Sequence, residues 1–342
     1  MKLVSASMLI VFATAAMLPA ALSAQPKAIA PAGSPKEITF GMISTTAAGA
    51  SADDYKKRWQ PLLDELATQT GVRVNVLAST NIVEDIRVGK IHVAWLSNKL
   101  ALDAVGTGKM KVFSQMVKED GTAGYSSVLL VRRESPIITT EDLFKAPGTY
   151  KLGYGATDST SGYLMPNIFL FKIAKIAKID PVKHFKSVVN QGPRANFLAV
   201  ANKEVDVAVN NTEDMAIFQK ELPEKFKDVR IIWTSQPLPD HPILVSRELP
   251  DALRVKIEEF FLKYGADKGN QGQVATLKKI RGLSGFRKSD NTQLKAVSIL
   301  EMHNEIGKVE GNGALSADEK KQRMADISIK MQKLNTLIST PQ

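Results

Sequence analysis

Apolar residues recur along the chain at two alternating spacings, which predict helices and strands in turn. In ADDYKKRWQPLLDELATQTG, the residues Trp59, Leu62, Leu63 and Leu66 follow the i, i+3, i+4, i+7 spacing of a helix. The next stretch, VRVNVLA, alternates as a strand does, and TNIVEDIRVGK and IHVAWL repeat the helix and the strand. Strands separated by helices throughout the chain predict an α/β fold with a largely parallel sheet.

Two further apolar strands, near residues 127–131 and 243–246, bracket the middle of the chain. They suit a two-lobed protein whose central segment forms one lobe and whose two ends form the other. The predicted first lobe is discontinuous, with residues 37–130 and 244–310, and the second lobe comprises residues 131–243.

The C-terminal stretch, residues 314–340, predicts a separate amphipathic helix that starts with a capping box of Ser316 and Glu319. Its apolar residues are spaced 3, 4, 3, 4, as in a two-heptad seam: Met324, Ile327, Met331, Leu334 and Ile338. Two interpretations remain open. The helix packs on its own lobe, or it pairs two subunits as a homodimer.

The N-terminal stretch, residues 1–24, has a lysine, an apolar run and small residues, which is the layout of a secretory signal peptide. We expect cleavage near Ala24 or Gln25, followed by a linker over residues 25–36, and hence a periplasmic protein. The chain has no cysteine, so its stability must come from apolar cores rather than disulfides.

The charge balance is basic, with a formal net charge of +10, which favours anionic partners in general. The lysines are scattered and aromatic residues make up only 6% of the chain, so a nucleic-acid partner is not expected. The four histidines are also scattered, and no HExxH, P-loop, GxGxxG or GxSxG motif occurs. The sequence therefore predicts no enzyme activity, no metal and no cofactor.

Polar clusters remain at two junctions between a strand and a helix, where open α/β sheets bind small ligands. One cluster is DSTSG, with Ser159, Thr160 and Ser161, and the other is NNTED, residues 210–214. The three hydroxyls have two possible roles. They cap a helix, or they line an anion site, because a helix start offers free N–H groups and partial positive charge.

Several stretches identify the chain as similar to a known family. In order, they are FGMIST, RWQPLLDEL, VAWLSN, SSVLLV, DSTSGYLMP, AVANKEVDVAVNNTED, IIWTS and PLPDHPI. They resemble the periplasmic phosphonate-binding proteins of ABC importers (PhnD-like), which have the type II periplasmic binding protein fold. The resemblance implies two α/β lobes that are joined by two crossing strands. It also implies closure on a ligand that is then passed to a membrane permease.

The resemblance also implies roles for individual residues. Ser159, Thr160 and Ser161 would hold the phosphonate oxygens. Glu213 would face the ammonium group of an aminoalkylphosphonate, although an acid in a first helical turn also complements the helix dipole. The C-terminal helices of the family often pair two subunits, which favours the homodimer.

The sequence departs from the family at three places in the expected pocket. The family's histidine after an Asn-x-Gly loop is replaced by Pro193, so Arg194 either grips the oxyanion in its place or lies in solvent. Leu96 stands where a tyrosine is expected. In the Pro-Asp-His-Pro bend, either Asp240 or His241 would enter the pocket.

A second pocket tyrosine, expected near Ser79, Thr80 and Asn81, has no counterpart in that stretch. These departures leave the ligand open. It would be a phosphonate, or a smaller oxyanion such as phosphite, methylphosphonate or phosphate. An exported sensor protein with the same fold is a further alternative.

Overall fold

The structure is a computed structural model that describes residues 28–43, 52–122, 124–172 and 179–339. The predicted signal peptide, residues 1–24, and the first residues of the predicted linker lie outside this range. None of the helices in these four stretches combines the length and the hydropathy of a membrane span.

The described chain alternates between strands and helices, as the apolar spacing predicts. The strands are β1 (Glu37–Ile43), β2 (Arg73–Ser79), β3 (Val93–Trp95), β4 (Met110–Lys118), β5 (Gly124–Tyr125), β6 (Ser127–Arg132), β7 (Lys151–Tyr154), β8 (Ser187–Asn190), β9 (Val207–Asn211), β10 (Val229–Thr234), β11 (Leu238–Pro239), β12 (Pro242–Ser246) and β13 (Leu283–Lys288). The helices are α1 (Ala52–Thr70), α2 (Ile82–Arg87), α3 (Asn98–Gly106), α4 (Thr140–Phe144), α5 (Pro181–His184), α6 (Pro193–Ala201), α7 (Thr212–Glu221), α8 (Pro223–Lys227), α9 (Asp251–Lys263), α10 (Gln271–Arg281), α11 (Lys295–Glu310) and α12 (Ala317–Ser339).

The strands form two sheets with the same plan, one of the order β13–β4–β12–β3–β1–β2 and one of the order β10–β6–β9–β7–β8. In each sheet, three strands are parallel, and the other strands run antiparallel to their neighbours. Both sheets are therefore mixed, and the prediction of a largely parallel sheet was wrong. The chain crosses from the first sheet into the second at β6 and back into the first at β12. Each of these two strands runs antiparallel to both of its neighbours in the sheet.

A short two-stranded ribbon of β5 and β11 lies at the two crossings between the sheets. The predicted lobe boundaries, at residues 130 and 243, fall inside β6 and β12. Residues 127–130 pair in the second sheet and Pro242 pairs in the first, so the chain passes from one sheet to the other at the ribbon.

Apolar side chains fill the space on the faces of both sheets. In the first sheet, Trp59, Leu62, Leu63 and Leu66 of α1 are fully buried in one core, as their helical spacing predicts. The second sheet has separate cores on its two sides, around Phe171 and around Phe197. Each sheet with its helices thus has its own buried apolar core, and this core fixes the positions of the strand ends that face the other lobe.

The run that follows DSTSG is helical, but in an unusual form. Residues Thr160–Leu164 and Asn167–Lys172 are π-helical. Pro166 lies between the two segments and has no N–H to donate to a preceding turn. π-Helical turns are rare and occur frequently at functional sites.

The C-terminal helix α12 begins after the predicted capping box. The Ser316 backbone N–H donates to the Glu319 carboxylate (2.8 Å), and the Glu319 N–H donates to the Ser316 hydroxyl (3.3 Å). Met331, Leu334 and Ile338 are buried in the core that the helix shares with α3 and α11. Ile327 packs against the same core, so four of the five predicted seam residues are used within the chain itself.

Candidate functional site

A cavity of about 130 Å³ lies between the two sheets, where several helices start. Four N-cap residues line it: Ser97 before α3, Ser159 before the first π-helical segment, Gly192 before α6 and Asn211 before α7. Helix N-termini present free N–H groups and partial positive charge. Their convergence favours an anionic group in this cavity.

The DSTSG cluster forms one end of the cavity. The Ser159 hydroxyl accepts a hydrogen bond from the Gly162 N–H (3.0 Å), so it caps the helical segment. The Thr160 hydroxyl accepts from the Lys99 backbone N–H (2.9 Å), which joins the second lobe to α3 of the first. Within the described residues, the Ser161 hydroxyl and the N–H groups of Thr160 and Ser161 have no protein partner. These free donors are available to an oxyanion.

The backbone of this cluster is held firmly by the second lobe. The Ser127 hydroxyl donates to the Ser161 carbonyl (2.7 Å), and the Gly155 N–H donates to the Gly162 carbonyl (2.9 Å). A Cβ on Gly155 would lie 2.6 Å from backbone atoms of Gly162, so only glycine permits this approach. The donors are therefore fixed before any ligand arrives.

A second group of lining residues, called the acidic end here, contains carboxylates. Glu213 in the first turn of α7 is buried, and its carboxylate lies 3.6 Å from Lys118 Nζ, 3.7 Å from Arg281 Nη2 and 3.5 Å from His241 Nδ1. Burial and then the nearby charge of Asp240 raise the pKa of Glu213, although the three basic neighbours oppose the rise. An ionised Glu213 is thus costly without a further positive partner.

The Pro-Asp-His-Pro bend places His241 against the cavity and Asp240 behind it. Asp240 is fully buried, and its carboxylate accepts hydrogen bonds from the His241 backbone N–H (2.6 Å) and from its Nδ1 (3.0 Å). Burial alone would raise the pKa of Asp240, but the hydrogen bond and charge of His241 and the charge of Lys118 lower it to about 2. Asp240 therefore stays ionised and fixes the imidazole, which itself faces the cavity.

Sequence analysis missed four aromatic and cationic residues that line the cavity, namely Tyr55, Trp95, Tyr125 and Arg281. Arg281 ends α10 and is buried, with Nη2 3.1 Å from Asp214 Oδ1 and Nη1 donating to the Tyr55 hydroxyl (3.3 Å). Its guanidinium carbon lies 6.0 Å from the centre of the Trp95 ring. Nothing in the local sequence distinguishes Arg281 from a surface arginine at a helix end, because its partners come from α1, β3 and α7.

The acidic end has more carboxylates than permanently charged basic groups. Among the described residues, Glu213, Asp214 and Asp240 form ion pairs with Lys118 and Arg281. The imidazole of His241 lies 3.5 Å from Glu213 and 3.0 Å from Asp240. A cationic group of a ligand would give these carboxylates a further partner, since buried charges need partners.

The ligand atoms of Glu213, Asp240 and His241 lie within 4.8 Å of one another and could also hold a metal ion. The Lys118 ammonium already lies 3.6 Å and 3.5 Å from the two carboxylates, where it would repel a metal ion. The geometry suits a second organic cation, which can share carboxylates with Lys118 through hydrogen bonds, better than a metal.

Of the two roles left open for Arg194, the structure favours the one outside the cavity. Within the described structure, Arg194 is absent from the cavity lining. Its Nη1 donates to Glu221 (2.6 Å), and its guanidinium lies over the Phe218 ring (5.7 Å). As the second residue of α6, Arg194 points along the helix surface, whereas Gly192 and Pro193 face the cavity.

We expect Arg194→Ala to change the affinity for any ligand of the cavity by less than about twofold. The substitution removes one half-exposed ion pair, which is worth about 0–1 kcal/mol of folding free energy. Titration calorimetry against wild-type protein measures the effect, with Ser161→Ala as the variant that should lose binding. A loss with Arg194→Ala as large as that with Ser161→Ala would return Arg194 to the site.

Comparison with known proteins bears on this site. The sequence model of a family described as "ABC transporter, phosphonate, periplasmic substrate-binding protein" matches residues 45–294. The phosphonates-binding periplasmic protein of Escherichia coli K12 is 35% identical over 305 residues, covering 88% of this chain and 87% of the relative. The chain belongs to this family. It is accordingly the periplasmic substrate-binding component of an ABC transporter, and not an enzyme.

Solved structures of phosphonate-transporter binding proteins support the fold. A binding component of a phosphonate ABC transporter from Pseudomonas aeruginosa is 35% identical and has a TM-score of 0.75, covering 89% of this chain and 97% of its own. A Prochlorococcus marinus protein in complex with methylphosphonate is 20% identical with a TM-score of 0.67, covering 79% of this chain and 98% of its own, and shows likeness of fold alone. The predicted type II periplasmic binding protein fold is confirmed.

The cavity is lined by two tyrosines that lie outside the two stretches where the family resemblance leads one to expect them. Leu96 is fully buried in the core beside β3 and does not line the cavity in the described structure. Tyr125 of the ribbon and Tyr55 of α1 line it instead, and Tyr125 stacks on the His241 ring with 5.2 Å between the centres. Burial, and then the charge of Glu213, raise the pKa of Tyr125, so its hydroxyl stays protonated.

A second, wider cleft adjoins the cavity of this phosphonate-binding family member and shares Glu213 and Arg281 with it. Seven lysine or arginine and four acidic side chains line this cleft. Lys57, Lys220 and Lys279 form no ion pair among the described residues. The net positive charge would draw anions toward the cavity.

Proposed function

We propose that the cavity binds a phosphonate that carries an amine, such as a 2-aminoalkylphosphonate, for delivery to the transporter's membrane permease. The observation that carries the proposal is the polarity of one cavity. The free N–H groups of Thr160 and Ser161 and the free Ser161 hydroxyl form one end, and Glu213 with its carboxylate neighbours forms the other. A zwitterionic ligand satisfies both groups.

The oxyanion end uses neutral donors only. A phosphonate carries up to two negative charges on three oxygens, and the helix start offers several donors without a buried cation that would itself need a partner. The site members that support this end are Ser159 as the cap, and Thr160 and Ser161 as the donors. Arg194 is not part of the proposal.

The acidic end favours an ammonium group over a bare alkyl group. Glu213 contacts the cavity directly, while Asp240 holds His241 and remains ionised behind it. A smaller oxyanion such as phosphite or phosphate would leave the carboxylates of this end without the further positive partner that an ammonium group supplies. A carboxylate facing a ligand that lacks a cation costs affinity, so such ligands should bind more weakly.

A thermal-shift screen of the mature protein tests this function. Ligands that bind only the folded state raise the melting temperature. We expect the largest rise with 2-aminoethylphosphonate and smaller rises with methylphosphonate, phosphite and phosphate. Equal rises with phosphate and 2-aminoethylphosphonate would support the smaller oxyanion instead.

We propose further that residues 1–24 are removed on export to the periplasm. The support is the signal-peptide pattern of the sequence together with the periplasmic location that the family implies. N-terminal sequencing of the protein from the periplasm should begin at Ala24 or Gln25. Retention of Met1 would show that the segment is an anchor.

A homodimer through the C-terminal helix stays a separate prediction with narrower support. Met331, Leu334 and Ile338 of the seam are buried within the chain and Ile327 packs against the same cluster, which leaves Met324 and the exposed Ile329 for a partner. Light scattering of the purified protein should give twice the chain mass, and Ile329→Glu should give the monomer mass. A monomer mass for the wild-type protein would contradict the predicted homodimer.

A further inference from the structure

The segment that carries the oxyanion donors belongs to the second lobe, but the residues that follow Ser161 are buried against the first lobe. Leu164, Met165 and Ile168 follow Ser161 in the chain of the second lobe, and each is at most 1% exposed. They belong to the buried cluster of the first-lobe helices α3, α11 and α12 rather than to either core of the second sheet. Both π-helical segments contact α11, and the first also contacts α3.

A polar pair lies in the middle of this apolar contact. The Asn167 side-chain amide donates to the Asn304 side-chain oxygen of α11 at 2.7 Å. The two residues are 5% and 1% exposed, so water does not compete for the bond. A buried amide that loses its partner costs about 1–3 kcal/mol, which makes this bond specific for one relative position of the two elements.

The first-lobe side of the contact is braced by charges. Lys99 Nζ lies 2.7 Å from Asp103 Oδ2 and 3.2 Å from Glu301 Oε1, which ties α3 to α11. The Lys99 backbone N–H in turn donates to the Thr160 hydroxyl. The helical pair α3 and α11 thus meets the oxyanion segment as a rigid surface, and none of Asn167, Asn304 and Glu301 lines the ligand cavity in the described structure.

We propose that this contact, formed by Leu164, Met165, Asn167 and Ile168 against α11, is a ligand-independent lock on the closed cleft, and that Asn304 is its positioning residue. Separation of the two sheets around the β5–β11 ribbon breaks the lock and exposes its apolar side chains to water. The lock therefore adds to the stability of the closed state, whatever the ligand.

The lock sets affinity through the population of the closed state. The apparent dissociation constant equals the intrinsic constant divided by the fraction of protein that is competent to bind. A weaker lock lowers the closed fraction, so every ligand loses affinity by the same factor. A residue that touches the ligand would instead change affinity by a factor that depends on the ligand.

The test uses Asn304→Leu, which leaves the Asn167 amide unpaired only when the cleft is closed. Because water satisfies that amide when the cleft is open, the cost acts on the closed state alone. We expect the dissociation constants of 2-aminoethylphosphonate and methylphosphonate to rise by the same factor, about tenfold, mainly through faster dissociation. Stopped-flow fluorescence of Trp95, which lines the cavity, follows both probes.

Three further variants separate the lock from a loss of folding. Asn167→Leu/Asn304→Leu removes both polar partners and should recover most of the affinity, since two apolar groups leave nothing unpaired. Ile168→Val trims one methyl group and should give a smaller equal-factor loss in a fold that tolerates it. His303→Gln, on an exposed position of α11, should leave both constants unchanged.

Small-angle scattering of the ligand-free proteins gives a readout that needs no ligand. Asn304→Leu should have a larger radius of gyration than wild type, because more molecules are open. Unchanged dissociation constants with a lower melting temperature would overturn the lock and leave a purely structural contact. The lock rests on the proposed function only for its choice of probes. If wild type binds neither probe, the proposed function fails, and equal radii of wild type and Asn304→Leu would separately overturn the lock.

Discussion

Ser161→Ala should weaken the binding of 2-aminoethylphosphonate by about tenfold to a hundredfold with little change in melting temperature. The Ser161 hydroxyl is the one side-chain donor of the DSTSG cluster that has no partner in the described protein. A hydrogen bond to a charged oxygen is worth about 1.5–3 kcal/mol, and each 1.4 kcal/mol is a factor of ten in affinity. Titration calorimetry measures the change.

Ser159→Ala is the matched control for this prediction. Its hydroxyl is used as a helix cap, so the substitution should lower the free energy of unfolding by about 0.5–2 kcal/mol. Thr160→Ala combined with Ser161→Ala should lose more binding than Ser161→Ala alone, because the Thr160 hydroxyl also joins the segment to Lys99. Unchanged affinity in the double variant would remove the oxyanion from this end of the cavity.

Glu213→Gln should abolish the preference for an amine. We expect the affinity for 2-aminoethylphosphonate to fall thirtyfold or more, which corresponds to about 2–5 kcal/mol for a desolvated charge pair. Ethylphosphonate, which has the same carbon chain without the amine, should bind at least as well as before, because the Glu213 carboxylate no longer faces a ligand that lacks a cation. Glu221→Gln, at the exposed end of the same helix, is the control.

The pH dependence gives the same carboxylate a second test. Burial raises the pKa of Glu213, so in the ligand-free protein the neutral form adds stability at low pH, and this is lost as pH rises through that pKa. A ligand ammonium reverses the loss. Both ligands should raise the melting temperature. The difference between the rise with 2-aminoethylphosphonate and the rise with ethylphosphonate should therefore grow as pH increases. A difference independent of pH would contradict an ionised Glu213 opposite the amine.

The repeating spacing of apolar residues predicted the fold well where local pattern decides it. Helix α1 spans the predicted stretch, because its four core residues lie on one face and Gly71 follows as a positive-φ residue. The antiparallel direction of β6 and β12 was not predicted, since the sequence of a strand that crosses between sheets resembles that of any buried strand. The π-helical form of the segment after Ser159 has no known spacing signal in the sequence either.

The candidate site divides in the same way. Ser161 and Glu213 lie in the cavity because helix-start chemistry is local and can be recognised from a few residues. Arg281 and Tyr55 depend on contacts between residues 226 positions apart, which no local pattern reveals. Local sequence left the position of Arg194 open for the opposite reason. Its position next to a loop glycine suggested the cavity, but the helix it starts directs its side chain to Glu221.

The most direct test of the central claim is a calorimetric comparison of 2-aminoethylphosphonate, ethylphosphonate and ethylamine on the wild-type mature protein. The first ligand carries both charged groups, and each of the others carries one. The account predicts tight binding of 2-aminoethylphosphonate, binding of ethylphosphonate that is at least about thirtyfold weaker, and no measurable binding of ethylamine. Equal affinity for 2-aminoethylphosphonate and ethylphosphonate would contradict it, because the acidic end of the cavity would then have no part in recognition.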